Sequence, residues 1–531
     1  MCQLAVCRLP VFGSFLLSSG LYYQMKGKMK ITQPIAGLLL LAFGWVHPAC
    51  AQQVGWVRYP VAYDLQKVGY PPVAFAPVAD GRFYYIEYWP EGPGKATSDY
   101  YLQSVKPQYV QGAEEYTEAW AVPIRVANDP KMEPIRVIAG GQQLAVVGRT
   151  AVKDPATSIQ FFNLSGQLMG RQQYLSPARK NLGDYADYLY TDAKKQYLAW
   201  LGYEPGASAK SRSYHASVFS LEGRRLWTEE LNVPHTLGRR GVCDAAVDGN
   251  GNLYLALVDE SPTGTVADTA YGPIVLRYDW KTRGWTQRRL ALPGHYCHTV
   301  QLETNELGQL MATALLGEAD KGLPMRLNEN GKLLYWSQLG YVQLNMATQL
   351  LLETARLEAP LPDEFVKRYA AETAEGARFG DFRTHYTGDQ LLLMMEQQYD
   401  KPKPTGRVYV RKDVAALSLQ ANSSKLNWAS AVAKNQTDYS SGRIGYTPAL
   451  TNLFLHLAYM SDVGGTGKLM LSSINLETGE HLDKELLDNS SGNLFFFTQR
   501  SAQTATDRLL LLGLGSPGRN EYTLTHIKGL P

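Results

Sequence analysis

The sequence predicts an all-β repeat protein, on the strength of three observations. A strand-turn-strand phrase returns along most of the chain: an apolar run, then Asn, Asp or Gly, then a second apolar run. It reads IQFFNLSGQLMGRQQYL (159–175), SVFSLEGRRLWTEEL (217–231), PMRLNENGKLLYWSQL (324–339) and MLSSINLETGEHLDKELL (470–487). Self-similarity at intervals of tens of residues marks a repeat architecture, and short apolar runs bounded by turn residues mark strands. The second observation is that each unit contains one strand that is apolar on both faces. The third is composition, since 33 Tyr in a chain with 11% aromatic residues suit pleated, half-buried surfaces.

Aligning the phrases on their turns gives eight units of four strands. Their second strands are RFYYIEYW (82–89), QQLAVVGRT (142–150), KQYLAWLGY (195–203), NLYLALVDE (252–260), GQLMATALL (308–316), DQLLLMMEQQ (389–398), NLFLHLAYM (452–460) and RLLLLGLG (508–515). Strands of this kind must be covered on both faces, as happens when sheets stack around an axis. A face-to-face sandwich demands more regular alternation. The last unit has only three strands, LFFFTQR (494–500), RLLLLGLG and EYTLTHIKGL (521–530), and the N-terminal GWVRYPVAYDL (55–65) is spare. Pairing the two ends removes both free edges. The expectation is therefore an eight-bladed β-propeller over residues 52–531, closed by pairing of the N- and C-terminal strands, with seven blades as the alternative count.

One segment breaks the pattern. Between the fifth and sixth units, residues 341–378 read as a helical insertion, with helices over MATQLLLETARLEA (346–359) and DEFVKRYAAETAEG (363–376). For the second helix, Asp363 supplies an N-cap, Glu364 and Arg368 an i,i+4 pair, and Gly376 a stop.

The phrase AVDGNGNLYLAL (246–257) resembles the turn between first and second strands of NHL-type propellers. The resemblance covers about a dozen residues. It implies the architecture and carries no functional residue over to this chain.

At 531 residues the chain can hold a large core, and its 19% charged residues fall below the usual quarter, which argues against disorder. A formal charge of +3 with no Lys/Arg block gives nucleic acid no electrostatic footprint. Residues 1–51 read as an upstream extension and a signal peptide. Lys26, Lys28 and Lys30 form the basic region, Ile35 to Val46 the apolar core, and Ala49-Cys50-Ala51 the small-x-small site for cleavage before Gln52. The apolar run is short for a bilayer span, so the mature chain is expected to be exported without a transmembrane segment. A lipoprotein anchored at Cys50 is the alternative, against which His47-Pro48-Ala49 lacks the usual aliphatic residue.

Cleavage leaves Cys243 and Cys297, in GVCDAAV and HYCHTVQ on the first strands of neighbouring units. An exported compartment permits a disulfide, whereas a separation of adjacent units beyond ~7 Å between Cα atoms forbids one. The pair stands open between a bridge and buried thiols.

Propellers bind ligands at the mouth of the axial channel, on the loops that feed the innermost strands. Here those places are NLGDYAD (181–187), GRRGVCD (238–244), GHYCHT (294–299) and RFGDFRTH (378–385). They supply Asp184 and Asp187, then Arg239, Arg240 and Asp244, then His295 and His298, then Asp381, Arg383 and His385. Carboxylates, imidazoles and guanidiniums from four consecutive blades can bind a sugar or peptide, or perform acid/base work. The same groups also serve loop amides and one another.

Other motifs fail on detail. Asp248, Asn250 and Asn252 open like a calcium loop, but Leu253 stands where the sharp turn demands Gly, so a hairpin turn is expected. GGTGK (464–468) lacks the upstream Gly of a phosphate loop, and neither HExxH nor GxSxG occurs. Asn163, Asn422, Asn435 and Asn489 begin glycosylation sequons. No cofactor or metal is expected. The functional expectation is an extracytoplasmic binding or interaction module for a protein, peptide or glycan. The alternatives are a polysaccharide-active hydrolase or lyase with an axial acidic site, and a structural protein of the cell envelope.

Overall fold

The computed structural model describes 36 strands between Gln53 and Lys528 and the shorter turns joining them. Residues 1–52 and the connections at 59–73, 90–98, 125–131, 151–155, 176–185, 204–212, 233–239, 260–272, 291–294, 305–309, 319–324, 328–332, 361–377, 421–424, 439–443, 462–466 and 489–494, with several shorter links, lie outside the described residues. Every regular element among the described residues is a strand, and the strands form eight antiparallel sheets of four or five members plus one two-stranded hairpin.

Blade 1 runs Ala74–Pro77, Phe83–Trp89, Asp99–Val110 and Ala113–Pro123 from inside to outside; blade 2 runs Met132–Gly140, Gln143–Thr150, Thr157–Asn163 and Gln173–Tyr174. Blade 3 is Ala186–Thr191, Tyr197–Tyr203, Ser213–Ser220 and Arg225–Asn232, and blade 4 is Arg240–Val247, Leu253–Asp259, Ile274–Asp279 and Gly284–Arg289. Blade 5 is His295–Thr304, Leu310–Glu318, Gln338–Ala347 and Leu352–Pro360; blade 6 is Arg378–Thr387, Gln390–Lys403, Gly406–Gln420 and Leu426–Val432. Blade 7 is Thr447–Leu450, Phe454–Met460, Leu469–Asn475 and His481–Leu487. The last sheet begins with Phe495–Phe496 and Ala502–Ala505, continues through Arg508–Ser516 and Arg519–Lys528, and takes its outermost strand, Gln53–Arg58, from the start of the chain.

Each predicted second strand occupies the second place of its sheet. Of the expected pairing of residues 55–65 with 521–530, the part described is the ladder from Gln53↔Lys528 to Arg58↔Thr523; residues 59–65 lie outside the described residues. Ala502–Ala505 of the last sheet in turn lies against Ala74–Pro77 of the first. Residues 341–360 correct the helical expectation: Gln338–Ala347 and Leu352–Pro360 are the two outer strands of blade 5, paired from Gly340↔Pro360 to Ala347↔Leu352. The helical reading of 346–359 was overridden by strand pairing, and Leu351 sits at a positive φ of 52° in the turn. Residues 363–376 lie outside the described residues.

Apolar clusters join consecutive blades. Leu198, Trp200 and Phe219 of blade 3 pack on Val147, Ile159 and Phe161 of blade 2, and Leu469, Leu471 and Ala449 of blade 7 on Leu509, Leu511 and Ile527 of the last sheet. The second strands supply both faces of these contacts, which is why they read as continuous apolar runs. Burying one such side chain stabilises by about 1.5–3 kcal/mol.

In three of its four instances the recurring phrase is the turn between third and fourth strands; the one at 324–339 instead supplies a separate hairpin, Met325–Leu327 with Leu333–Tyr335, between the second and third strands of blade 5. Asn163, Asp279 and Asn475 each accept two backbone N–H groups of their own turn, at 2.8–3.3 Å, as Asx turns do. A glycine follows because something approaches it. Gly479 has φ of 75°, and a Cβ there would meet Trp428 of the preceding blade at 2.6 Å; Gly166 is placed the same way against Trp120. Both indoles then donate Nε1–H to the adjacent carbonyl, Trp428 to Leu476 at 2.7 Å and Trp120 to Leu164 at 3.2 Å.

Candidate functional site

In every blade the chain enters the innermost strand at one end, here the top, and makes its first turn at the bottom. The second-to-third connection returns to the top. Two elaborations use that connection: the hairpin Met325–Leu327/Leu333–Tyr335 of blade 5, and the prolonged strands of blade 6, paired as far as Lys403↔Gly406. The root of the blade 6 extension is held by a buried charge cluster. Lys434 Nζ lies 2.5 Å from Glu396 Oε1, Arg411 Nε lies 3.4 Å from Glu396 Oε2, and Lys434 also donates to Gln436 at 2.8 Å. Burial lowers the Lys434 ammonium despite the opposing pull of Glu396.

The ten residues expected at the mouth divide into three groups. Asp184 and Arg239 lie outside the described residues. Asp187, Arg240, His295, His298 and Asp381 have described backbones on the innermost strands, Asp187 opposite Gly202, Arg240 opposite Asp259 and His295 opposite Glu318. His298 and Asp381 occupy register shifts, between Cys297 and Thr299 and between Gly380 and Arg383. The side chains of these five lie outside the described residues. Asp244, Arg383 and His385 are fully described.

Those three correct the expected depth. They do not stand at strand entries: Asp244 is past the middle of Arg240–Val247, and Arg383 and His385 lie in the second half of Arg378–Thr387. A bulge between Val242 and Asp244 re-aims the chain there. The Asp244 carboxylate reaches the next blade and accepts the Leu302 N–H at 2.7 Å. Burial raises its pKa to about 6, the Leu302 and Ala245 amides oppose that rise, and the nearby Glu303 charge adds to it. Glu303, on the innermost strand of blade 5, is itself raised by burial and accepts the hydroxyl proton of Thr384 from blade 6. A chain of polar contacts thus crosses blades 4, 5 and 6.

Blade 3 completes the group with aromatic rings. Tyr188 and Tyr190 stack on the innermost strand, centroids 6.4 Å apart with 17° between planes. Tyr190 is partly buried and its phenol is raised far above the usual range, first by desolvation and then by the Asp244 charge; Tyr188 stays exposed. His385 is lowered by the surrounding protein although its side chain remains exposed. Arg383 turns away to the Tyr446 ring of blade 7, 5.2 Å from its centroid.

Cys243 is a free thiol, pushed up to about 12 by burial, with Sγ 3.4 Å from the Val300 and Ala256 carbonyls. Counted back from the turns that follow Val247 and Thr304, it stands level with Val300 rather than Cys297. The matching phrases are therefore out of step by three residues. The calcium-like motif is a hairpin turn: Asp248 accepts from Asn250 N, Asn252 N, Asn252 Nδ2 and the Tyr254 hydroxyl at 2.7–3.0 Å, which consumes its lone pairs. Among the described residues no three His, Cys, Asp or Glu cluster as metal ligands, and no helix is long and apolar enough to cross a membrane.

No protein-family model matches the chain, and no curated protein matches it. Solved structures do, at the level of fold. The Dos1 propeller is 8% identical with a TM-score of 0.40, covering 86% of this chain and 92% of its own. The WD40 domain of SCAP from fission yeast is 10% identical with a TM-score of 0.40, covering 90% and 95%. An ulvan lyase of a polysaccharide lyase family is 12% identical with a TM-score of 0.39, covering 73% and 90%. The chain is a β-propeller by its own sheets, and the first two of these are a propeller and a WD40 domain by name.

Proposed function

We propose that the protein is an exported propeller that binds a glycan in the recess lined by the innermost strands of blades 3 to 6. The observation that carries this reading is the stacked pair Tyr188/Tyr190 beside the poorly solvated carboxylates Asp244 and Glu303. Exposed aromatic faces cover the apolar C–H faces of a pyranose, and carboxylates accept hydrogen bonds from its hydroxyls. A second reading, a polysaccharide hydrolase or lyase, is favoured by two acids on neighbouring innermost strands, Asp244 and Glu303, whose carboxyls burial pushes upward, Asp244 to about 6. Export is supported by the order of Lys26–Lys30, the apolar run and Ala49-Cys50-Ala51.

The test uses the protein recovered from the cell envelope, whose mass should correspond to a chain beginning at Gln52. It is applied to immobilised neutral and uronate-containing polysaccharides. Tyr188→Ala should weaken the binding of a retained polysaccharide about tenfold without lowering the melting temperature. New reducing ends or unsaturated termini, lost in Glu303→Gln, would move the assignment to the enzyme. Failure to retain any polysaccharide, or retention unchanged in Tyr188→Ala, removes the recess as the site.

A further inference from the structure

The outer rim of blade 2 differs from that of every other blade. Its fourth strand is only Gln173–Tyr174, opposite Ile159 and Ser158, and its other contacts with the third strand are the bridge Phe162↔Leu168 and the bond from Met169 N to Phe161 O at 2.7 Å. Residues 170–172 leave the ladder between these points. Gly170, at φ of 75°, opens the excursion into empty space, and Arg171 stands exposed on it.

Leu168, Met169 and Tyr174 along this rim are exposed by 47%, 38% and 52%, which is half of the exposed large hydrophobic residues among those described. Three guanidiniums flank them. Arg171 is on the excursion, and Arg224 and Arg225 are on the adjoining turn of blade 3. Arg225 Nη2 donates to the Tyr174 carbonyl at 2.9 Å and lies 5.4 Å from the centroid of the Phe219 ring. Burial shifts Arg225 downward, and among the described residues no carboxylate pairs with it. Glu222 is the nearest acid in the same turn; among the described residues no salt bridge engages it or any of the three arginines.

We propose that the rim of blade 2, at its junction with blade 3, docks an extended acidic segment of a partner protein. Apolar side chains of the segment would cover Leu168, Met169 and Tyr174, and its carboxylates would meet Arg171, Arg224 and Arg225. Charge complementarity selects this partner: three guanidiniums that no described carboxylate neutralises, around an apolar strip, attract carboxylates and repel basic chains. Tyr and Arg are also the residue types that anchor interfaces. The excursion blunts the edge against long strand pairing, so recognition falls to side chains. This surface is separate from the glycan recess.

The experiment measures fluorescence anisotropy of a labelled synthetic peptide alternating Glu with Val, with the Lys/Val peptide as control, on the full chain. The Glu/Val peptide should bind and the Lys/Val peptide should not. Arg171→Glu combined with Arg224→Glu, two exposed positions, should weaken binding about tenfold with the melting temperature unchanged, as should Tyr174→Ser. No binding of the Glu/Val peptide overturns the proposal, as does equal binding of both peptides. Sedimentation showing a dimer that Tyr174→Ser dissociates would assign the rim to a second copy of the chain. Flotation with phosphatidylserine vesicles, lost in the double arginine variant, would assign it to an anionic membrane; either result overturns the proposal.

Discussion

Asp244 is held by one backbone amide of a neighbouring blade and little water, so its carboxylate carries a desolvation cost. The sign of the pH effect follows. Its folded pKa of about 6 lies above the usual 3.8, so the folded state binds the extra proton between these values. Its contribution is therefore most favourable below pH 4 and declines as pH rises through 6, by on the order of 2–3 kcal/mol. Asp244→Asn keeps an oxygen for the Leu302 N–H and loses the charge. Denaturant titrations from pH 4 to 8 should show its stability flattened across that window and raised by about 1–2 kcal/mol at pH 8. A variant less stable than the parent at pH 8 would show that the charge itself is favourable. Asp244 was visible in the sequence as a polar residue on a first strand. Glu303 and Tyr190 were not singled out, because each is meaningful only once the turn register is known. Both stand one residue before the pair that closes the first turn, Thr304↔Leu310 and Thr191↔Leu198.

At the scale of elements, the Asn-Leu-x-Gly phrases marked their turns because their chemistry is local: an Asx side chain folds back on its own amides, and a glycine takes a positive φ. What the phrase could not reveal is that an indole from the preceding blade fills the space above the glycine. Gly479→Ala should therefore cost more than backbone strain, since its methyl meets Trp428 at 2.6 Å. A loss of about 2–4 kcal/mol in chemical denaturation is expected, against about 1 kcal/mol for Gly170→Ala, where nothing lies within 4 Å. Equal losses at the two positions would mean that the indole yields without cost. The misread stretch 346–359 fails for a related reason. Read alone it suits a helix, but Met346 and Ala347 end the third strand of blade 5 and Leu352–Pro360 is its outermost strand, and the ladder between these two outweighs propensity.

For the whole molecule, the expected end-to-end pairing is the feature with the widest reach. Removing residues 52–66 deletes the outermost strand of the last sheet and exposes the edge of Arg519–Lys528. If the blades melt as one unit, calorimetry should show a single transition moved down by roughly 5 °C or more. A truncated chain with an unchanged transition would show that the terminal strand is an ornament. The architecture was legible because many repeats of one pattern, each an antiparallel sheet of four or five strands, reinforce one another. The recess was less so, because each blade contributes one or two side chains and only their depth decides which of them meet.

The same pairing also sets an order of events. Gln53 and Lys528 are opposite one another, yet 475 positions separate them along the chain. At ribosomal speeds the intervening stretch takes about 25 to 95 s to make. Throughout that interval the earliest strand has no partner of its own, and the last sheet is finished only when its most recent strand arrives. The last sheet therefore cannot be completed from neighbouring chain alone. Its outermost strand keeps an unclaimed edge until residue 528 has been made, and whatever keeps that edge from a wrong neighbour acts before the sheet does.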